Sequence, residues 1–164
     1  MTVIIDGTAG ITFPVTAGSA SAVQASSGRV LQVVQATYGT EVSSSTATYI
    51  DTGLTASITP SSSSSKILVL VSQNGIQKRT GNTYMALQLQ RGGSSIAQMA
   101  VTAAGTGDTS INDVGTVSIN YLDSPATTSS TTYKTQFNSN GTVAATFVQK
   151  DSALSTIILM EIAA

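Results

Sequence analysis

Cysteine, histidine and tryptophan are absent from this 164-residue chain, and proline occurs only three times. Without thiol or imidazole the chain holds no disulfide, no thiolate–imidazole zinc site and no Ser-His-Asp or Cys-His nucleophile. The missing cysteine also leaves the redox compartment unmarked. Charge is scarce: seven basic and eight acidic residues make 9% of the chain, against about 25% in an average globular protein. A net charge of −1 with scattered basic residues gives no electrostatic footprint for nucleic acid. The longest wholly apolar run, Ile67 to Val71, falls far short of the ~20 residues of a membrane helix. The N-terminal Met1-Thr2-Val3-Ile4-Ile5-Asp6 lacks the basic region and apolar stretch of a secretory signal. These absences argue against an enzyme and against a bound metal or cofactor.

What fills the chain is threonine and serine, 25 and 24 residues respectively. Low charge does not signal disorder here, because 41% of the residues are hydrophobic and the mean hydropathy is +0.21. Threonine's branched β-carbon suits a pleated surface, so a neutral, polar-faced strand still folds. The composition predicts an all-β protein.

Residues 1–28 read differently from 29–164. Short apolar patches at Val3-Ile4-Ile5 and Gly10-Ile11-Thr12-Phe13-Pro14 precede small residues from Val15 to Gly28, too little bulk for a core. The spacing predicts an extended N-terminal arm with a linker over Ala17–Ser27. From Arg29 onward, strands recur at turn-bounded intervals. They are expected at Val30–Thr37, Ala47–Asp51, Leu54–Thr59, Lys66–Ser72, Thr83–Arg91, Ser94–Val101, Val114–Leu122, Thr131–Phe137, Val143–Val148 and Thr156–Ile162. Thr52-Gly53 reads as a break between two short strands. Gly92-Gly93 predicts one hairpin, and Asn138-Ser139-Asn140-Gly141 a second. Strands 66–72 and 156–162 are apolar on both faces, which favours a homo-oligomer. About ten short strands joined by long connections predict a jelly-roll-like β-sandwich rather than a meander.

Several segments resemble a known group. Gly7-Thr8-Ala9-Gly10-Ile11-Thr12-Phe13-Pro14 resembles the glycine-threonine-phenylalanine-proline repeat of tail-fibre and related virion proteins of tailed bacteriophages. Arg29 to Val34, Thr52-Gly53-Leu54 through Ile58-Thr59-Pro60, Ser64 to Val69, Tyr121 to Pro125, and Leu159 to Ile162 are similar to the β-rich terminal domain of that group, of the type found in phages of aquatic bacteria. Their order and spacing, more than any single piece, carry the resemblance. It implies a virion structural protein with a jelly-roll-like domain, usually a homotrimer, and no catalytic residue. In long fibres the phenylalanine-proline motif lies deep in the chain. Here it lies near Met1, which suggests a terminal fibre piece or adaptation to another place on the virion.

Against that background the candidate residues fall into two groups. Lys78 and Arg79, beside Asn82 and Tyr84, supply the charge, amide and aromatic face that a host glycan or outer-membrane component would need. The alternative is a solvated loop that keeps the protein soluble. Ile4, Ile5, Ile11, Phe13 and Pro14 are candidates for virion attachment or trimer packing. Asp108 and Asp113 offer oxygen ligands, but their spacing does not match the twelve-residue calcium loop and a solvated turn is expected. Asp51 and Asp123 show no sign of sharing the cleft a glycosidase requires. Glu161 either faces inward, needing a partner such as Lys150, Lys66 or a neighbouring subunit's arginine, or lies exposed past the strand end; the exposed position is expected. Two functions follow: a trimeric tail fibre or fibre tip that contacts the host surface, or a trimeric capsid decoration protein bracing the head.

Overall fold

The computed structural model describes residues 4–6, 10–12, 28–141 and 143–164. The strands are β1 (Ile4–Asp6), β2 (Gly10–Thr12), β3 (Val30–Tyr38), β4 (Val42–Ser44), β5 (Ile50–Ile58), β6 (Lys66–Asn74) and β7 (Gln77–Lys78). There follow β8 (Thr83–Arg91), β9 (Ser94–Ala103), β10 (Asn112–Asp113), β11 (Thr116–Asp123), β12 (Thr131–Gly141), β13 (Thr146–Val148) and β14 (Ser155–Ile162). Eight of these make two antiparallel sheets, in the orders β11-β6-β14-β3 and β5-β12-β8-β9. That order is the eight-stranded jelly roll, and the chain is all-β as its composition predicts.

Strand alternation builds the core between the sheets. Met85, Leu87 and Leu89 of β8 are fully buried on one side, and Ile67, Val69, Val71, Ile157 and Leu159 face them from the other sheet. The apolar core divides in two. One cluster gathers Leu54, Ile58, Ile67, Val69, Tyr133 and Leu159, and the other Ile76, Met85, Leu87, Phe137 and Val148. Between them runs a buried polar belt. Thr52 Oγ1 meets Thr135 Oγ1 at 2.6 Å, Thr135 Oγ1 contacts Gln73 Oε1 at 2.8 Å, and Gln73 Nε2 donates to Ser155 Oγ at 3.1 Å.

Two sequence expectations change at the strand level. Thr52-Gly53 does not interrupt β5; it is a bulge where the register against β12 shifts between Lys134 and Gln136. Gly53 sits at φ +87°, and a Cβ there would come within 2.2 Å of the Tyr38 ring. The hairpin predicted through Asn138–Gly141 does not form. Instead β12 continues to Gly141 along β8, with Asn138 opposite Ala86 and Gly141 opposite Thr83, while β13 pairs with β4 and β7. Buried side-chain bonds outweigh the local turn preference: Asn138 Oδ1 accepts from Ala86 N, and its Nδ2 donates to Ala47 O. The Gly92-Gly93 hairpin forms as expected, both glycines at positive φ.

The chain enters and leaves the sandwich at one end, here called the base. Gly28 N donates to Ala163 O, and Ala163 N to Arg29 O. Glu161 lies at this end and is buried, not exposed past the strand end. No cation holds it. Its carboxylate accepts from Ser61 N at 2.7 Å, Ser61 Oγ at 2.6 Å and Gln32 Nε2 at 2.6 Å, closing the 59–65 loop onto β14. Burial works to raise its pKa, but the Ser61, Gln32 and Ser65 hydrogen bonds outweigh it and hold the carboxyl down at about 2, from an ordinary 4.5. A depressed folded-state pKa gives stability that is full above the unfolded value and is lost as pH falls. Stability on the order of 1–2 kcal/mol is therefore expected to disappear between pH ~4.5 and ~2, and Glu161→Gln should flatten that part of the profile in denaturant titrations. Also at the base, Asp123 accepts from Arg91 at 2.7 Å and from the buried Tyr133 hydroxyl at 2.6 Å. Burial, then the bond to Asp123, raises the Tyr133 pKa.

Before the sandwich, β1 and β2 pair antiparallel, Ile4 opposite Thr12 and Ile5 opposite Ile11. The segment expected as a single extended arm thus contains a two-stranded ribbon. Phe13, Pro14 and the linker Ala17–Ser27 lie outside the described residues.

Candidate functional site

The end opposite the base is built from the four connections that jelly-roll topology places there: β3–β5, β6–β8, β9–β11 and β12–β14. Each contributes one short strand, and these pair in the order β10-β7-β13-β4 into a sheet that caps the sandwich. Loop-end backbone that would otherwise need water thereby gains ladder bonds. Gly75 knits three of these connections: its N donates to Gly115 O, and its O accepts from Lys150 N.

Alternation along the cap strands decides which predicted residues face solvent. Lys78 pairs across to Asn112 and Thr146, is fully buried, and donates from Nζ to Thr106 O at 2.6 Å. It cannot meet a ligand at the surface, so the sequence assignment of Lys78 as a contact residue is corrected: its ammonium anchors the 104–110 loop. The facing row runs Asp113, Gln77, Phe147 and Ser43. Arg79 is exposed, with its guanidinium 5.1 Å from the centre of the Phe147 ring and its Nε donating to Gln77 Oε1 at 2.9 Å. Gln77 Nε2 in turn donates to Asp113 Oδ1. Lys150 Nζ lies 5.9 Å from the same ring and bonds Glu41 at 2.8 Å and Asp151 at 2.9 Å. The Glu41 bond, then the Asp151 bond, raises the Lys150 pKa.

Asn82 and Tyr84 belong to a different part of the cap. With Thr102, Gly105, Thr106 and Gly107 they line a groove of about 340 Å³. Asn82 N donates to Gly107 O at 2.7 Å, and Gly105 N to Thr102 O at 3.0 Å, so two connections share the groove's floor. Asn82 is exposed at φ +56° and Tyr84 half-buried. An aromatic ring, an amide and two hydroxyls, all uncharged, suit a neutral saccharide better than an anion. Of the four sequence candidates, the structure therefore brings Asn82 and Tyr84 together, sets Arg79 on Phe147, and turns Lys78 inward. Phe147, Thr102 and Thr106 were not legible from sequence. The one available signal was Phe147 standing out of phase with the inward Thr146 and Val148.

The acidic candidates separate as well. Asp51 bonds Lys134 and Gln136, at 2.8 and 2.6 Å, while Asp123 belongs to Arg91 and Tyr133 at the base. Burial raises the Asp51 pKa, but the bonds from Lys134 and Gln136 outweigh it and leave it lowered. Asp113 is tied to Gln77 and Asp108 is exposed. Among the described residues no three acidic side chains gather as a metal-binding group.

The fold and this end of it define the chain as an eight-stranded jelly roll with an ordered four-loop cap. Neither a family model nor a curated protein sequence matches the chain. Among solved structures it is similar to the VP2 subviral particle of infectious bursal disease virus, with a TM-score of 0.53 and 14% identity, over 84% of this chain. The chain spans about a third of that protein's length (34%).

Proposed function

We propose that this chain is a structural protein of a tailed-bacteriophage virion, a homotrimeric tail fibre or fibre tip whose cap meets the host surface. The observation that carries the reading is geometric. The chain enters at the base, and all four connections at the far end contribute to one sheet, the same end at which Arg79, Asn82, Tyr84 and Phe147 lie. A module fixed to a virion at one end and displaying rigid loops at the other is what host contact requires. The segments that resemble phage fibre proteins span this same sandwich. On this reading residues 1–28 join the module to other virion proteins, no nucleic acid or cofactor takes part, and the chain is no enzyme.

The groove at Asn82 and Tyr84 is the contact site for a host surface glycan or outer-membrane component, and Arg79 lies apart from it on Phe147. Each site is weak alone, and three copies gain by multivalency. Full-length protein should bind host cells and slow infection in competition. Tyr84→Ala removes the groove's aromatic wall and should reduce that avidity about tenfold or more, because the loss recurs in every copy. Wild-type protein that neither binds cells nor slows infection would overturn the reading.

A further inference from the structure

A hollow of about 370 Å³ opens at the base between the Gly92-Gly93 turn and the 124–130 loop. Arg91, Pro125, Thr127, Ser130 and Thr131 line it, and no acidic side chain does. Arg91 is held in place from beneath. Its Nη1 donates to both oxygens of Asp123, at 2.7 and 2.8 Å, and the buried Tyr133 hydroxyl pins the same carboxylate at 2.6 Å. The Asp123 side chain is 7% exposed and that of Arg91 33%, so the acid lies below the surface and the guanidinium reaches it. The other edge of the guanidinium, Nε and Nη2, bonds none of the described residues. The Ser130 hydroxyl likewise bonds none of them, and the Thr127 hydroxyl accepts from Ser129 N while its own proton stays available.

We infer that this hollow binds the carboxylate of an acidic saccharide. A planar fork of N–H donors with one edge unused matches a carboxylate bidentately, and Asp123 and Tyr133 fix its direction before any ligand arrives. Asp123 already balances the arginine's charge, so a bare anion gains little from Coulomb attraction, and hydroxyl groups beside the fork must add the rest. Thr127 and Ser130 supply them, and the hydroxyls of a sugar ring, each both donor and acceptor, are their counterpart. The Pro125 ring and the threonine methyls give the C–H face of such a ring an apolar wall. A volume of about 370 Å³ lies at the small end of ligand pockets, about 300–1,000 Å³, and leaves room for more than a lone carboxylate. The site lies at the opposite end of the sandwich from the Asn82–Tyr84 groove. It goes beyond the proposed function, because it holds for this chain on a tail or on a head alike.

Titration of the full chain at matched ionic strength, followed by amide NMR, tests this. Sodium glucuronate should shift the amides of Gly92, Thr127 and Ser130 and saturate with a Kd of about 1 mM, weak as befits so small a ligand. Glucose, which lacks the carboxylate, and acetate, which lacks the ring, should each bind at least about tenfold more weakly. Arg91→Lys keeps a cation for Asp123 but loses the second edge of the fork, and should weaken glucuronate at least about tenfold. Glucose binding as tightly as glucuronate overturns the carboxylate. Acetate binding as tightly overturns the saccharide and leaves an adventitious ion only. The absence of a saturable shift at Gly92, Thr127 and Ser130, or an Arg91→Lys variant that binds unchanged, overturns the site itself. Should Arg91→Lys fail to fold, Ser130→Ala, at an exposed hydroxyl, decides in its place: about a threefold loss is expected, and unchanged binding overturns the site.

Discussion

A Gly75→Val variant is expected to lose about 3 kcal/mol or more and to lose its cap cooperatively. Gly75 sits at φ +63°, in the left-handed region that a branched side chain avoids. A Cβ there would come within 2.3 Å of Lys150 N and 2.8 Å of Gln149 C. Both obstacles are backbone, held by Gln149 N bonding Asn74 O and by Lys150 N bonding Gly75 O, so neither can step aside cheaply. Gly92→Ala is the control, also at positive φ (+55°) but with open space around its Cβ, and should cost only about 1–2 kcal/mol. Denaturant midpoints compare them, and equal losses would show that the 75–150 contact does not hold the cap.

Ser155→Ala should cost about 3 kcal/mol although it deletes a single oxygen. Three donors converge on Ser155 Oγ: Gln73 Nε2, Asn74 N and Gln149 Nε2. Gln73, Gln149 and Ser155 are each fully buried, and Gln149 Oε1 has no partner. With these residues buried, the alanine leaves the converging donors without their acceptor where water cannot reach them. Ser57→Ala, at an exposed hydroxyl that bonds Thr132 across the strands, should stay within about 0.5 kcal/mol of wild type. A loss at Ser155 no larger than at Ser57 would mean that water replaces the belt's bonds.

The belt also shows where sequence reading stops. Ile67 to Val71 and Met85 to Leu89 announce their strands, because alternation and β-branching are local properties. Gly92-Gly93 announces its turn for the same reason. Loop lengths favoured a jelly-roll-like sandwich over a meander, but the strand order was not legible, because pairing between distant strands leaves no local mark. Thr52, Gln73, Thr135 and Ser155 lie on four different strands, so nothing local marks them as one network. Lys78 and Glu161 fail for a related reason. A charged side chain reads as exposed until a distant partner is known, and those partners, Thr106 O and the Ser61 hydroxyl and amide, are 28 and 100 residues away. Asn138–Gly141 is the clearest conflict. Its residues favour a turn, and bonds to Ala86 and Ala47 keep it in the strand.

On the proposed reading, function follows the division of the two ends, with the base at the chain's entry and the cap at the far end. A tail-fibre tip would use that polarity to reach a host, and a capsid decoration protein would need the base and its preceding residues far more than the cap.

Immunogold electron microscopy of intact virions, with antibody against residues 29–164, tests this most directly. Label confined to the tail is the expected result. Label spread evenly over the head, with copies in the hundreds, would contradict it and assign the chain to capsid decoration.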